Sequence, residues 1–295
     1  MIVPNQSNMK VHFATTEIIS QGLAAISGGS AYNLGTAFPF VYDMFQKGKT
    51  KSSNLEIISK MSSVSNHYIL DSGLFTLMFG AMKGKTSAKD IELWYKYLIE
   101  FINRSNYSGT CVEVDSQKII GQKETWRLRE KMETEIKNRI INVFHLEDGE
   151  KGLDRLIEFS NYIAISVPEL RILNKKNHLV KLANYIKNKK PEIDIHLLGY
   201  TEKKTMKDLN FCTSCDSSSW ISGIRYGMTE TIHGKGHINN IKPEIIKTHK
   251  KKWLNNKAEL FPQLAFPKDL DRCGILTFSA NQHKKIYEKF AGPQD

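Results

Sequence analysis

The sequence predicts an α/β protein, and within that class a single-domain (β/α)8 barrel of the TIM type spanning residues 1–295. Short apolar, β-branched runs alternate with amphipathic stretches of helical spacing, a pattern typical of parallel sheets covered by helices. Polar residues or glycines close five or more successive runs. An open doubly wound sheet fits the alternation, but it draws its site only from the strands at its switch point. In a barrel many strand ends line one site, so these endings favour the barrel.

Six runs are predicted to be strands, because each is short, apolar and largely β-branched. They are His67–Leu70 before Asp71, Cys111–Val114 before Asp115, Ile140–Phe144 before His145, Tyr162–Ile165 before Ser166, Ile193–Leu198 before Gly199, and Gly274–Phe278. Residues 1–66 are left without an assignment of elements, except that Ser27–Thr36 reads as a Gly/Ser-rich loop near the barrel mouth.

Four segments between these runs are predicted to be helices. They are Ser87–Asn103, Lys123–Asn138, Gly152–Asn161 and Asn177–Lys189. Thr86 or Ser87 is a plausible N-cap of the first, and Pro191 stops the last. No Pro/Gly linker or repeat marks a second domain.

The composition is that of a folded protein with an anionic partner. Hydrophobic residues make up 40%, and 42 Lys plus Arg against 31 Asp plus Glu give a formal net charge of +11. That surplus fits a membrane surface, a phosphorylated ligand or a nucleic acid. No apolar run is long enough for a transmembrane helix, no signal peptide is visible, and four cysteines are too few for a disulfide framework. We therefore expect a cytoplasmic protein without a membrane partner.

The candidate functional residues lie at the ends of the predicted strands. They are Asp71, Asp115, His145, Ser166, Gly199 and, after a short helix, Asp216. An unpaired carboxylate at a strand end must be desolvated or face a cleft, and both situations indicate a site. Alternatively, Asp71 and Asp115 are N-caps of the helices that follow, and periodicity does not decide between the two.

Two groups of motifs resemble the guanine transglycosylase family. Asp71-Ser72-Gly73-Leu74-Phe75 is similar to its Asp-Ser-Gly-Gly-Phe signature. His196–Gly199, then Asp208-Leu209 and Cys215–Ser217, resemble its later segment, where a strand ending in glycine and a short helix lead to the nucleophilic aspartate. The intermediate strand ends fall in the same order, and the resemblance covers residues 67–227.

The resemblance implies a (β/α)8 barrel that exchanges guanine in a polynucleotide for a 7-deazaguanine base. Asp216 would be the nucleophile, forming a covalent glycosyl ester, and Asp71 the general acid/base. Asp115 would accept hydrogen bonds from the base. The remaining substrate-binding residues would be Ser72, Gly73, His145, Ser166 and Gly199, with His145 standing where the family usually has glutamine.

The cysteine pattern separates this chain from the members that act on tRNA. Those carry a zinc site of three cysteines and a histidine after the nucleophile, whereas only Cys273 follows Asp216 here. We therefore expect no zinc or other metal and no cofactor, with a base such as 7-cyano-7-deazaguanine as co-substrate. Cys212 and Cys215 are interpreted as small buried residues.

Two further segments resemble the zinc-free DNA-guanine transglycosylases of phages and bacteria. They are Cys215–Trp220 and Gly223–Gly227. DNA is therefore the expected partner, in the host cytoplasm if a phage encodes the protein. The alternatives are the same chemistry on tRNA, or a non-catalytic nucleic-acid-binding barrel. A phosphate-binding metabolic barrel is disfavoured, because no glycine-rich loop lies near strands seven and eight.

Two basic clusters are candidates for phosphate contacts. The candidate residues are Lys187, Lys189, Lys190, Lys250, Lys251, Lys252 and Arg225. A solvated helix face is the alternative for such lysines, but the interleaved Trp253 and the overall charge favour strand binding. Trp220, Tyr226 or Trp253 could stack on a flipped base, or could be core aromatics. Gly234–His237 is interpreted as a loop that could close over substrate.

Overall fold

Eight parallel strands form a closed barrel in the order β1 to β8, in a computed structural model that describes residues 9–49, 52–82, 84–200 and 202–295. The predicted (β/α)8 barrel is thereby confirmed. The strands are β1 Lys10–Thr15, β2 Tyr32–Thr36, β3 His67–Asp71, β4 Thr110–Val112, β5 Ile140–Phe144, β6 Tyr162–Ser166, β7 Asp194–Leu198 and β8 Ser214–Ser217, and a separate antiparallel pair consists of β9 Met228–Thr231 and β10 Gly234–His237.

Helices alternate with the barrel strands. They are α1 Leu23–Ser27, α2 Phe38–Lys47, α3 Ser52–Ser63, α4 Leu74–Thr76, α5 Ala88–Arg104, α6 Gln117–Glu135, α7 Gly149–Phe159, α8 Val167–Ile172, α9 Leu179–Lys189, α10 Ser219–Ser222, α11 Pro243–Leu260 and α12 Leu270–Ala291. Among the residues described, no helix has the length and apolar character needed to cross a membrane.

The chain divides into two compact units. The central unit comprises Thr36–Ser166 and Tyr185–Asp194, and the terminal unit comprises Met1–Gly35, Val167–Asn184 and Ile195–Asp295. The prediction that residues 1–295 form one domain stays a prediction.

The central unit contains β3 to β6. Its registers pair Ile69 with Thr110 and Val143 with Ala164. Every residue of β5 is buried, as expected for a parallel strand covered on both faces. Helix α5 starts at a capping box, in which Ser87 accepts from the backbone of Asp90 and Asp90 accepts from the backbone of Ser87.

The terminal unit contains β1, β8 and most of β2 and β7. Here His12 is in register with Asp216, and His196 with Ser214. Helix α12 packs against α11 and α1, and its buried face includes Leu276, Ala280 and Tyr287.

Three predictions about elements need correction. Gly274–Phe278 is not a strand but part of α12, because its apolar residues belong to a helical face buried against α11. Ser27–Thr36 is not a loop throughout, since Tyr32–Thr36 forms β2. The helix predicted from Lys123 begins at Gln117, with a non-helical residue at Gly121.

Candidate functional site

The Asp71–Gly73 segment is a fixed turn at the end of β3 in the central unit. The Gly73 amide donates to Asp71 Oδ2 at 3.0 Å, and the carbonyl of the buried Ser72 accepts from Trp94 Nε1 at 3.0 Å. Gly73 has φ +74°, and a Cβ there would lie 2.6 Å from the Phe38 amide nitrogen. Only glycine fits that position, so the motif holds the half-buried Asp71 carboxylate in one orientation.

Asp115 and His145, predicted together as base-binding residues, contact each other after β4 and β5. Asp115 Oδ1 lies 2.9 Å from His145 Nε2. The His145 side chain is 4% exposed and that of Asp115 is 42% exposed. A buried imidazole thus lies against a carboxylate that a ligand can reach.

A buried ion pair behind Asp115 was not predicted. Glu113, 2% exposed, accepts from Arg129 Nε at 2.7 Å and from Arg129 Nη2 at 2.6 Å. It also accepts from Asn142 Nδ2 at 2.7 Å and from the Val143 amide at 2.8 Å. These four bonds saturate the carboxylate and tie the end of β4 to β5. A glutamate within the apolar run Cys111–Val114 was the available sequence signal, because a buried charge requires a partner.

The central unit has a cavity beside the segments that follow β3 and β4. Its volume is about 440 Å³, and its lining includes Met78, Thr86 and Lys118. Ser166, the remaining predicted pocket residue of this unit, ends β6 and is half-buried.

In the terminal unit, Asp216 on β8 is a nearly buried carboxylate, 9% exposed. Its Oδ1 accepts from the Gly199 amide at 2.7 Å. Gly199 has φ +61°, and a Cβ there would lie 3.0 Å from Pro168 Cγ. The glycine predicted to line the pocket thus holds Asp216 through its backbone N–H.

Two histidines that the sequence analysis missed lie beside Asp216. His196 and His12 are both 0% exposed, and their ring centroids are 6.1 Å apart. His196 Nδ1 is 2.6 Å from Ser214 Oγ, and its Nε2 is 3.4 Å from Asp216 Oδ1. His196 could have been noticed as a polar residue inside the apolar run Ile193–Leu198.

The cysteines of the terminal unit are buried thiols, as their interpretation expects. Cys212 and Cys215 are both 0% exposed, and burial raises the pKa of the Cys215 thiol well above its ordinary value. Over the described ranges, no group of three or more His, Cys, Asp and Glu side chains is arranged to hold a metal ion.

Two interpretations of the segment after Asp216 are wrong. Gly234–His237 forms strand β10, and Gly236 pairs with Thr229 of β9. Trp253, taken as a sign of strand binding, is 0% exposed and donates from Nε1 to the Ser20 carbonyl at 3.1 Å. Trp220 is also fully buried, whereas Tyr226 is 82% exposed.

The lysines before β7 have partners within the central unit. Lys187 Nζ donates to the Ile193 carbonyl at 2.7 Å, and Lys190 Nζ to the Ser160 carbonyl at 3.0 Å. Lys189 pairs with Asp154 at 3.2 Å. These contacts place the three lysines in the turn leading into β7, and their contact with phosphates stays a prediction.

The second basic cluster, on α11, is more accessible. Lys251 and Lys252 are exposed, while Lys250 pairs with Asp271 at 2.6 Å. Arg225, which precedes Tyr226, is also exposed.

Comparison with known proteins identifies the fold. No family model matches the chain, and no curated protein matches it. Among solved structures, fructose-bisphosphate aldolase from Campylobacter jejuni has a TM-score of 0.51 at 11% identity, covering 98% of this chain and 91% of that chain. The YdjI aldolase from Escherichia coli K12 has a TM-score of 0.47 at 8% identity, covering 99% and 95%. At such identities the likeness to the Campylobacter enzyme shows the barrel fold alone.

Proposed function

We propose that this protein exchanges guanine in DNA for a 7-deazaguanine base, such as 7-cyano-7-deazaguanine, through a covalent glycosyl ester on Asp216. The geometry of Asp216 carries the proposal. A carboxylate at the end of β8 that is 9% exposed and held by the Gly199 amide is pre-positioned to attack an anomeric carbon.

The exchange takes place in two steps. In the first, an Asp216 oxygen bonds to C1′ of the target nucleotide while the C1′–N9 bond to guanine breaks, and Asp71 protonates the departing base. In the second, Asp71 takes the N9 proton of the incoming base. N9 then bonds to C1′ and releases the Asp216 carboxylate.

Asp115 suits recognition of either base. Guanine and 7-deazaguanines present a ring N–H and an exocyclic amine side by side, and a carboxylate accepts from both. The 2.9 Å contact with His145 supports this role, because it restrains the carboxylate without burying it. His145 thereby takes a positioning role in place of the family's glutamine.

A polynucleotide partner accounts for the net charge of +11. Exposed Lys251, Lys252 and Arg225 are candidates for phosphate contacts in the terminal unit. Duplex DNA would have to flip the target nucleotide out of the stack, since the chemistry is at its anomeric carbon and base. DNA is preferred to tRNA because only Cys273 follows Asp216, whereas tRNA-acting relatives carry three cysteines there.

The test incubates the protein with labelled 7-cyano-7-deazaguanine and either DNA or tRNA, followed by nucleoside analysis. We expect label in DNA. Label in tRNA alone would reject the DNA assignment in favour of the same chemistry on tRNA. Label in neither, with retained DNA binding, would identify a non-catalytic barrel.

The nucleophile is tested with Asp216→Asn, which keeps an oxygen to accept from the Gly199 amide. We expect this variant to lose both base exchange and the denaturation-resistant protein–DNA adduct. Asp208→Asn is the matched control, because Asp208 is exposed and precedes β8. An adduct that survives in Asp216→Asn would reject Asp216 as the nucleophile.

A further inference from the structure

Besides the cavity of the central unit, the terminal unit contains a cavity of its own, whose lining residues take no part in the proposed base exchange. It consists of two adjoining spaces of about 410 and 280 Å³ that share Ser219, Glu230 and Lys235 in their linings. Together they reach the size of small-molecule sites, which begin at about 300 Å³. We call this space the hairpin cavity, because β9 and β10 form one of its walls.

The inner wall of the hairpin cavity presents hydrogen-bond acceptors. His283 is 2% exposed, and its Nδ1 lies 3.0 Å from the Ser279 carbonyl, so Nδ1 carries the proton and Nε2 is an acceptor. Nε2 makes no hydrogen bond to the described residues and lies 4.0 Å from Glu230 Oε2. Burial lowers the pKa of His283 to about 4, which keeps the imidazole neutral at pH 7.

The outer rim is cationic. Lys203 pairs with Glu230 at 2.6 Å, and Lys204 and Lys235 line the same space. An anion alone does not match the inner wall, because Glu230 would repel it and His283 Nε2 offers no proton. A ligand that suits both ends carries N–H donors at one end and a negative charge at the other.

We propose that the hairpin cavity binds one nucleotide of the DNA next to the target, and that it selects a base with an exocyclic amino group. The amino group donates to Glu230 or to His283 Nε2, and the phosphate lies between Lys204 and Lys235. The cavity begins three residues after Asp216 in the chain, at Ser219, which accepts from Ser217 at 2.8 Å on the face of β8 opposite to that of Asp216. This inference rests on the proposed function in taking DNA as the ligand.

The test compares mononucleotides that differ only in the presence of an exocyclic amino group. dGMP is paired with dIMP, and dAMP with the purine deoxynucleotide that lacks its 6-amino group, and binding to the whole protein is measured by calorimetry. We expect at least one amino member to bind about ten-fold or more tightly than its partner, the effect of one hydrogen bond to a charged group. The double variant Glu230→Ala, His283→Phe, which removes both acceptors, should abolish that preference.

Lys235→Ala separates a local effect from a folding defect, because Lys235 is exposed on β10. It should weaken binding of the preferred mononucleotide several-fold, whereas Lys181→Ala, an equal loss of charge at an exposed position of α9, should not. Equal binding within both pairs would refute selection of the amino group. Binding unaffected by Lys235→Ala would place the nucleotide elsewhere.

The two proposals fail in different ways. Asp216→Asn should lose base exchange and keep mononucleotide binding. Amino-selective binding without any exchange would support the nucleotide site in the hairpin cavity and reject the proposed reaction. Exchange without mononucleotide binding would support the proposed reaction and reject the nucleotide site.

Discussion

Replacing Gly73 with alanine tests whether the Asp71–Gly73 turn is as constrained as its geometry indicates. The left-handed φ of +74° costs an alanine about 1–2 kcal/mol. The added Cβ would also lie 2.6 Å from the Phe38 amide nitrogen and 2.8 Å from Phe38 Cα. Both atoms are backbone, so relieving the contact moves the chain, at an overpacking cost of about 1–3 kcal/mol. The free energy of unfolding should therefore fall by about 2–5 kcal/mol.

Gly48→Ala provides the matched control. Gly48 has φ +68°, and a Cβ added there would meet no heavy atom within 4 Å, so this variant carries the backbone cost without the contact. Urea unfolding of both variants, followed by tryptophan fluorescence, gives the two losses at unchanged m-value. If Gly73→Ala loses no more stability than Gly48→Ala, the close approach to Phe38 does not constrain the turn.

Three other expectations concern the buried groups and the base pocket. Arg129→Ala leaves Glu113 buried and unpaired, so urea unfolding should show a loss of about 3–5 kcal/mol, whereas the exposed control Arg127→Ala should lose under about 1 kcal/mol. Burial lowers the pKa of His283 from 6.5 to about 4, so the unfolded state binds more protons between those values. Stability should fall as pH drops through that window, by at most about 3 kcal/mol, and His283→Asn should remove this dependence. Asp115→Asn should raise the KM for the incoming base about ten-fold while changing stability by less than about 1 kcal/mol, since its side chain is 42% exposed.

Each expectation has a contrary result. Equal stability of Arg129→Ala and Arg127→Ala would show that the Glu113 carboxylate is hydrated or protonated in the variant. An unchanged pH profile in His283→Asn would assign the acid sensitivity to other groups. An unaltered KM in Asp115→Asn would remove Asp115 from base recognition.

The sequence predicted the strands that obey one simple rule. β3 to β7 are short apolar runs closed by a polar residue or glycine, and the structure has a strand at each. Gly274–Phe278 follows the same local rule and is helical, because a short apolar run takes its conformation from the elements that bury it. β8 was not predicted as a strand because Ser214–Ser217 is polar, although all four residues are buried.

The candidate site was predictable where a single side chain marks it. Asp115 and His145 follow from strand ends that the sequence displays, whereas Asp216 was singled out by the resemblance to the guanine transglycosylases. The link from His196 to Asp216 and the pairing of Glu113 with Arg129 depend on which strands and helices become neighbours. Hydrophobic periodicity carries no information about that pairing, since it reports which face is buried and not what it is buried against.

The pairing of β1 with β8 has a consequence for how this chain folds during synthesis. His12 Nδ1 lies 3.3 Å from the Cys215 carbonyl, across 203 residues of sequence, and the Val11 amide donates at 2.8 Å to Gln294 Oε1, 283 residues away. Partners for one edge of β1 are thus translated long after β1 itself has left the ribosome. Contacts of such separation are slow to form, and an unpaired strand edge invites association with other chains. One edge of the first strand of the barrel therefore stays unpaired until the last third of the chain has been made.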